Sequence, residues 1–153
     1  MFELLPGIGV VLPRGAGTLR FEMSESQAQW VLSTVVDVRP YWSCAGAGYG
    51  DDGHREFWSF GGCLGTLRID VTGSEHGCRT IAFEPESGTT TDPVVWRDVD
   101  VFGYPADEVE AALAPRSARE AVGLFLIRGT AEAATRMARA WLTTEGGSAR
   151  RIG

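Results

Sequence analysis

Five side chains of the types that ligate metals or attack carbonyls near neutral pH stand out in this chain: Cys44, His54, Cys63, His76 and Cys78. Asp51 and Asp52 add carboxylates to the first of them, inside the stretch WSCAGAGYGDDGHREFW from Trp42 to Trp58. A cysteine nucleophile needs an imidazole close enough to hold it as thiolate, so the pairs of interest are Cys44 with His54 and Cys78 with His76. Both pairs depend on the fold for their proximity. Structural zinc sites are built on short spacings such as C-x-x-C or H-x3-H, and neither occurs here. His76-x-Cys78 across a turn is the one close pair. These residues therefore call for no metal and no cofactor, and they leave a Cys/His enzyme as an alternative reading.

The glycines of GAGYG raise phosphate binding. A dinucleotide loop follows a strand and opens a helix, so that backbone N–H groups and the helix dipole meet the phosphates. Here Pro40 and Trp42 precede the glycines, and DDGHREFW leads into a strand. No GK[ST] follows, and no G-x-S-x-G nucleophile turn occurs anywhere. The Gly-rich stretch reads instead as a long connection, with a small-ligand site beside it as a further alternative.

The tryptophans point elsewhere. Trp42, Trp58 and Trp96 fall in loop or strand positions and are expected to be partly exposed, whereas Trp141 fits a helical stripe. In LGTLRIDV and VVWRDVDV the polar alternates Arg68, Asp70, Asp98 and Asp100 are expected on one wet sheet face with Trp96. Aromatic and arginine side chains ringed by acids suit a protein-binding hot spot. The expected epitope is Trp42, Tyr49, Asp51, Asp52, Trp58, Arg68, Asp70, Trp96, Asp98 and Asp100. Its expected partner is a protein with a basic surface.

Charge excludes some classes. The net charge is −6, all 14 basic residues are Arg, and the span Glu84–Glu110 holds eight acids against Arg97 alone. A nucleic-acid binder needs a basic face to displace phosphate counterions, which argues against that class. The absence of Lys and Asn reads as GC-rich, actinobacterium-like codon usage. No run approaches the roughly 18 apolar residues of a membrane helix. The opening MFELLPGIGVVLPRG lacks the basic and apolar regions of an export signal, so a cytoplasmic protein with three reduced cysteines is expected. One disulfide with a free thiol is the alternative in an oxidising compartment.

The elements that must position these residues show as periodicity. TLRF reads as a short strand. Ser24 caps a helix with Gln27 three residues on, and Ala28, Val31, Leu32, Val35 and Val36 form its buried stripe. FWSF, LGTLRIDV and CRTIAFEP read as strands, the last two as a hairpin through TGSEHG. SGTTTDP is a polar linker. VVWRDVDVF is expected as one strand, then Pro105 opens a helix with Asp107 and Glu108 in its first turn. GLFLI is expected as a buried strand. GTAEAATRMARAWLTTEGG is expected as a helix with Ala134, Met137, Ala138 and Trp141 on one face.

The halves echo each other: Phe21–Leu32 (FEMSESQAQWVL) aligns with Phe102–Leu113 (FGYPADEVEAAL) at an offset of 81. At these residues PGIGV…LRFEMSESQAQWVL resembles the "PGvGv-lrfGMs-eev" opening of small bacterial proteins. It is similar to SmpA-type outer-membrane-assembly lipoproteins and to tandem-repeat β-lactamase inhibitor proteins. Glu22 stands where that pattern has Gly, and Gly103 fills the equivalent place in the second half. The resemblance implies helices laid on one face of an antiparallel sheet, with the other face binding proteins. The expected architecture is thus one α+β domain over 1–145, with a mainly antiparallel sheet, helices on one face and degenerate tandem strand-helix-meander halves at about 6–88 and 94–145. A flexible tail is expected over 146–153. The expected function is non-catalytic protein binding, as a toxin-immunity protein or an enzyme inhibitor.

Overall fold

The computed structural model describes residues 1–40, 57–86, 92–113, 123–129 and 136–144. Strands β1 (Phe2–Leu5), β2 (Gly9–Val11) and β3 (Thr18–Arg20) form an antiparallel meander. Gly9 sits at φ +145 where β3 crosses, and a Cβ there would strike the backbone of Leu19 and Arg20.

Helix α1 (Glu25–Ser33) starts as its residues dictate. The Ser24 hydroxyl accepts from Gln27 N at 3.2 Å and Gln27 Oε1 accepts from Ser24 N at 3.0 Å, satisfying two orphan donors at once. The helix stops earlier than its apolar stripe. Ser33 and Thr34 donate their hydroxyls back to Trp30 O and Val31 O, each at 2.7 Å, and β-branched Val35 and Val36 follow as a turn.

After β4 (Arg39–Pro40) come the long strands β5 (Phe57–Leu64), β6 (Leu67–Ser74) and β7 (Gly77–Pro85), an antiparallel meander as the alternation predicts. Leu67, Ile69, Val71, Ile81 and Phe83 are fully buried. The expected strand VVWRDVDVF is broken: β8 (Val94–Trp96) and β9 (Val99–Asp100) are a hairpin. Its two turn residues, Arg97 (φ 48) and Asp98 (φ 68), are both left-handed, as the twist of a two-residue hairpin requires. Arg-Asp is an unusual pair for that turn, which left the alternation looking continuous. Helix α2 (Ala106–Leu113) then opens after Pro105 as expected.

The last segment corrects the sequence reading. Met137–Thr143 is not a helix but strand β11, paired on one side with β10 (Leu124–Arg128) and on the other with β7. The reason is a β-bulge. Ile127 pairs with Arg139 and Arg128 with Met137, leaving Ala138 as an extra residue. The bulge puts Met137 and Ala140 on one face three residues apart, which imitates a helical spacing.

The fold is α+β with two mainly antiparallel sheets where one was expected. Their orders are β3-β2-β1-β8-β9 and β10-β11-β7-β6-β5-β4, with β1 and β8 the parallel pair. One apolar core holds residues of both sheets together with Ala28 and Leu32 of α1 and Ala106 and Val109 of α2. Phe2 of β1 meets Phe83 of β7 across it, ring centroids 5.3 Å apart. Among the described residues no helix is long and apolar enough to cross a membrane.

Candidate functional site

Because β5, β6, β7 and β11 turn Phe60, Ile69, Val71, Ile81, Phe83, Ala140 and Leu142 into the core, and β10 packs half-buried Leu124 and Leu126 against it, the strand alternation sends the intervening residues to the opposite, outer face. Register arranges these in cross-strand rows. One row runs Gly61, Asp70, Ala82, Trp141, Phe125. A second is a hydroxyl ladder, Ser59, Thr72, Thr80, Thr143. A third contains Cys63, Arg68 and Glu84, with Ile127 opposite Arg139 at its far end.

Trp141 is the centre of this surface. Phe125, its cross-strand partner, stacks on it at 5.2 Å between centroids, and the Arg139 guanidinium lies 5.2 Å from its ring. The chain itself thus supplies both an aromatic and a cationic neighbour to the indole. The ladder presents the half-exposed indole, a guanidinium and the Phe125 ring together. Ile127 (42% exposed) and Phe57 (65% exposed) add apolar surface on the same side. Arg68 and Asp70 pair at 3.3 Å.

The expected epitope is redistributed. Arg68 and Asp70 lie on this outer face, but Asp98 and Asp100 belong to the other sheet, so the common wet face does not form. Asp98 is a turn residue, and Asp100 accepts from Phe102 N and Gly103 N, both at 3.2 Å, to close the turn before α2. Trp58 and Trp96 are not partly exposed as expected but buried, at 5% and 4%. Trp58 stacks on Phe60 and donates its indole N–H to Ser74 O at 2.9 Å, so its polar edge is satisfied inside. Trp42, Tyr49, Asp51 and Asp52, with Cys44 and His54, lie outside the described residues. The outer face carries Arg68 and Arg139 together with Asp70, Glu84 and Glu86. Other exposed acids stand on α2 (Asp107, Glu108 and Glu110) and at the β8–β9 turn (Asp98).

Of the thiol alternative, only Cys63, His76 and Cys78 fall within the described residues. Cys78 is buried on β7, and desolvation pushes its thiol up to about 12, far from a thiolate at neutral pH. His76 is exposed on the β6–β7 turn, with Nε2 3.3 Å from Glu75. Cys63 is exposed on the outer face and donates to Glu86 Oε1 at 3.4 Å; partial burial and then that carboxylate raise its thiol above the usual range. Among the described residues, no three His, Cys, Asp or Glu side chains come together as a metal site.

The sequence reading missed Phe125, Ile127, Arg139 and Trp141 as a surface. The signal was present in ARAWLT, where Arg139, Trp141 and Thr143 alternate with Ala140 and Leu142 at period two. A second feature also went unread: Arg128 holds Glu110 through a two-pronged bond (2.8 and 2.6 Å) and Asp107 at 2.6 Å, tying β10 to α2.

No protein-family model matches this chain, and no curated protein or solved structure does so.

Proposed function

We propose that this protein is a non-catalytic binding module whose outer sheet face docks onto another protein, in the manner of a toxin-immunity protein or an enzyme inhibitor. The observation that carries this reading is Trp141 stacked on Phe125 and met by the Arg139 guanidinium on the outer sheet face, beside exposed Ile127. Tryptophan and arginine on a preorganised scaffold are the side chains that dominate protein–protein affinity, because they bury large area at small entropy cost. The acids of α2 and the β8–β9 turn suit a partner that is basic around its docking site, steering it before contact. The cytoplasm is the compartment we assign, given the free thiols of Cys63 and Cys78.

A degenerate repeat is part of the same proposal. Met23, just before α1, accepts from Cys78 N of β7 at 2.8 Å; Pro105, just before α2, bridges Arg136 at the start of β11. The first helical hydrogen bonds, Ala28 N to Ser24 O and Val109 N to Pro105 O, stand 81 residues apart, matching the sequence offset. Both helices thus begin at equivalent places in the two aligned segments.

The test is affinity capture from native lysate with the parent chain and Arg139→Glu side by side. A stoichiometric partner retained by the parent and lost by the variant is the expected result. Finding none, or one that both chains retain equally, removes the reading.

A further inference from the structure

Two sheets have four edges, and natural proteins blunt such edges because their unpaired backbone groups recruit other strands. Three edges here are short: β3 has three residues, β9 has two, and β4 has two with Pro40 among them. The fourth, β10, is five residues long, reads LFLIR, and carries no proline. Its direction of bonding follows from its neighbours. Thr143 N donates to Gly123 O at 2.9 Å, so residues 123, 125 and 127 bond inward to β11. The N–H and C=O of Leu124 and Leu126 therefore point away from the sheet, and no described residue meets them.

We propose that this edge is the seam of a homodimer, β10 pairing antiparallel with β10 of a second copy about a two-fold axis at Phe125. The edge is self-complementary in that register. Leu124 faces Leu126 of the partner, so all four outward N–H groups and their carbonyls are used. Phe125 meets its own copy as a close, non-hydrogen-bonded pair on the outer face. The Arg139–Trp141–Phe125 ladder then continues across the seam, in mirror order, into the second copy. Charge does not oppose this: Arg128, the strand's one charged residue, is already neutralised by Glu110 and Asp107 of its own chain. A foreign strand would find the same bonds, but only a second copy supplies the matching Phe125. Five residues of seam make a small interface, so the dimer is concentration-dependent.

Dimerisation goes beyond the binding reading and stands or falls without any foreign partner. Sedimentation of the full-length chain tests it, with a shift from monomer to dimer mass as concentration rises. Leu126→Pro removes an outward N–H without touching the β10–β11 ladder, and Phe125→Lys places two like charges opposite each other; each keeps the chain monomeric. Should either variant misfold, Phe125→Cys supplies a gain of signal: cross-strand Cβ atoms at such a pair lie within reach of a disulfide. Mild oxidation is expected to link Phe125→Cys into dimers at least tenfold faster than the parent chain. A parent that stays monomeric at every concentration, or a Phe125→Cys chain that links no faster than its parent, overturns the proposal.

Discussion

Gly73 lies directly across from Trp58 in the β5–β6 pair, and the indole occupies the space where a Cβ on residue 73 would stand. The glycine is thus the floor on which Trp58 lies while its N–H reaches Ser74 O. A side chain at position 73 would expel the ring from its slot. Gly73→Ala is expected to destabilise the fold by roughly 2–3 kcal/mol, as overpacking of a close-packed site does. Urea denaturation followed by tryptophan fluorescence reads it, and a midpoint equal to the parent's would refute the packing account.

Glu22 adopts φ 72, a left-handed conformation, while its N–H donates to Cys78 O at 3.2 Å. An L-residue there costs about 1–2 kcal/mol that glycine avoids, partly offset by glycine's larger unfolded entropy. Glu22→Gly should raise the melting temperature by a few degrees in a chain of this size. Its neighbour behaves oppositely. Gly77 has φ +109, and a Cβ there would come 2.6 Å from the Glu22 backbone, so Gly77→Ala should melt well below the parent.

Glu110 supplies a pH dependence. The hydrogen bond from Arg128 holds its carboxyl below the usual glutamate range, against a smaller opposing effect of burial. A depressed folded-state value means the stabilisation is complete above the ordinary glutamate pKa and is lost as pH falls through the folded one. Glu110→Gln should therefore cost stability at neutral pH, by at most about 1 kcal/mol for so exposed a pair. The gap to the parent should close below about pH 4. Thermal melts at a series of pH values check it; a gap that persists in acid would contradict the assignment.

The two described thiols should differ sharply. In a Cys44→Ser background, iodoacetamide at mildly alkaline pH should modify Cys63 slowly and leave Cys78 untouched until the chain unfolds, since Cys78 is buried and titrates at about 12. Removing the neighbouring charge with Glu86→Gln lowers the Cys63 thiol towards its ordinary value, raises its thiolate fraction and speeds its alkylation. Rapid labelling of Cys78 in the native chain would contradict its burial on β7.

Local periodicity and capping chemistry determined much of this protein. The Ser24–Gln27 box, the Pro105 helix start and the alternation of Leu67, Ile69 and Val71 were legible because each is written within a few residues. The α+β class and the antiparallel meander follow from them. Only the tertiary structure decided the rest. Whether Met137–Thr143 is helix or strand depends on β7 and β10 as neighbours, and one bulge at Ala138 disguised its period. The Arg97–Asp98 turn moved Asp98 and Asp100 to the sheet opposite Arg68 and Asp70. Trp58 and Trp96 went inside because a second sheet closes over the first, and an amphipathic ring on a strand has no local signal for which face will be covered. Which residues share a surface is set by register and sheet pairing, interactions between segments far apart in the chain. For that reason the Phe125–Trp141–Arg139 ladder became visible only in the folded protein.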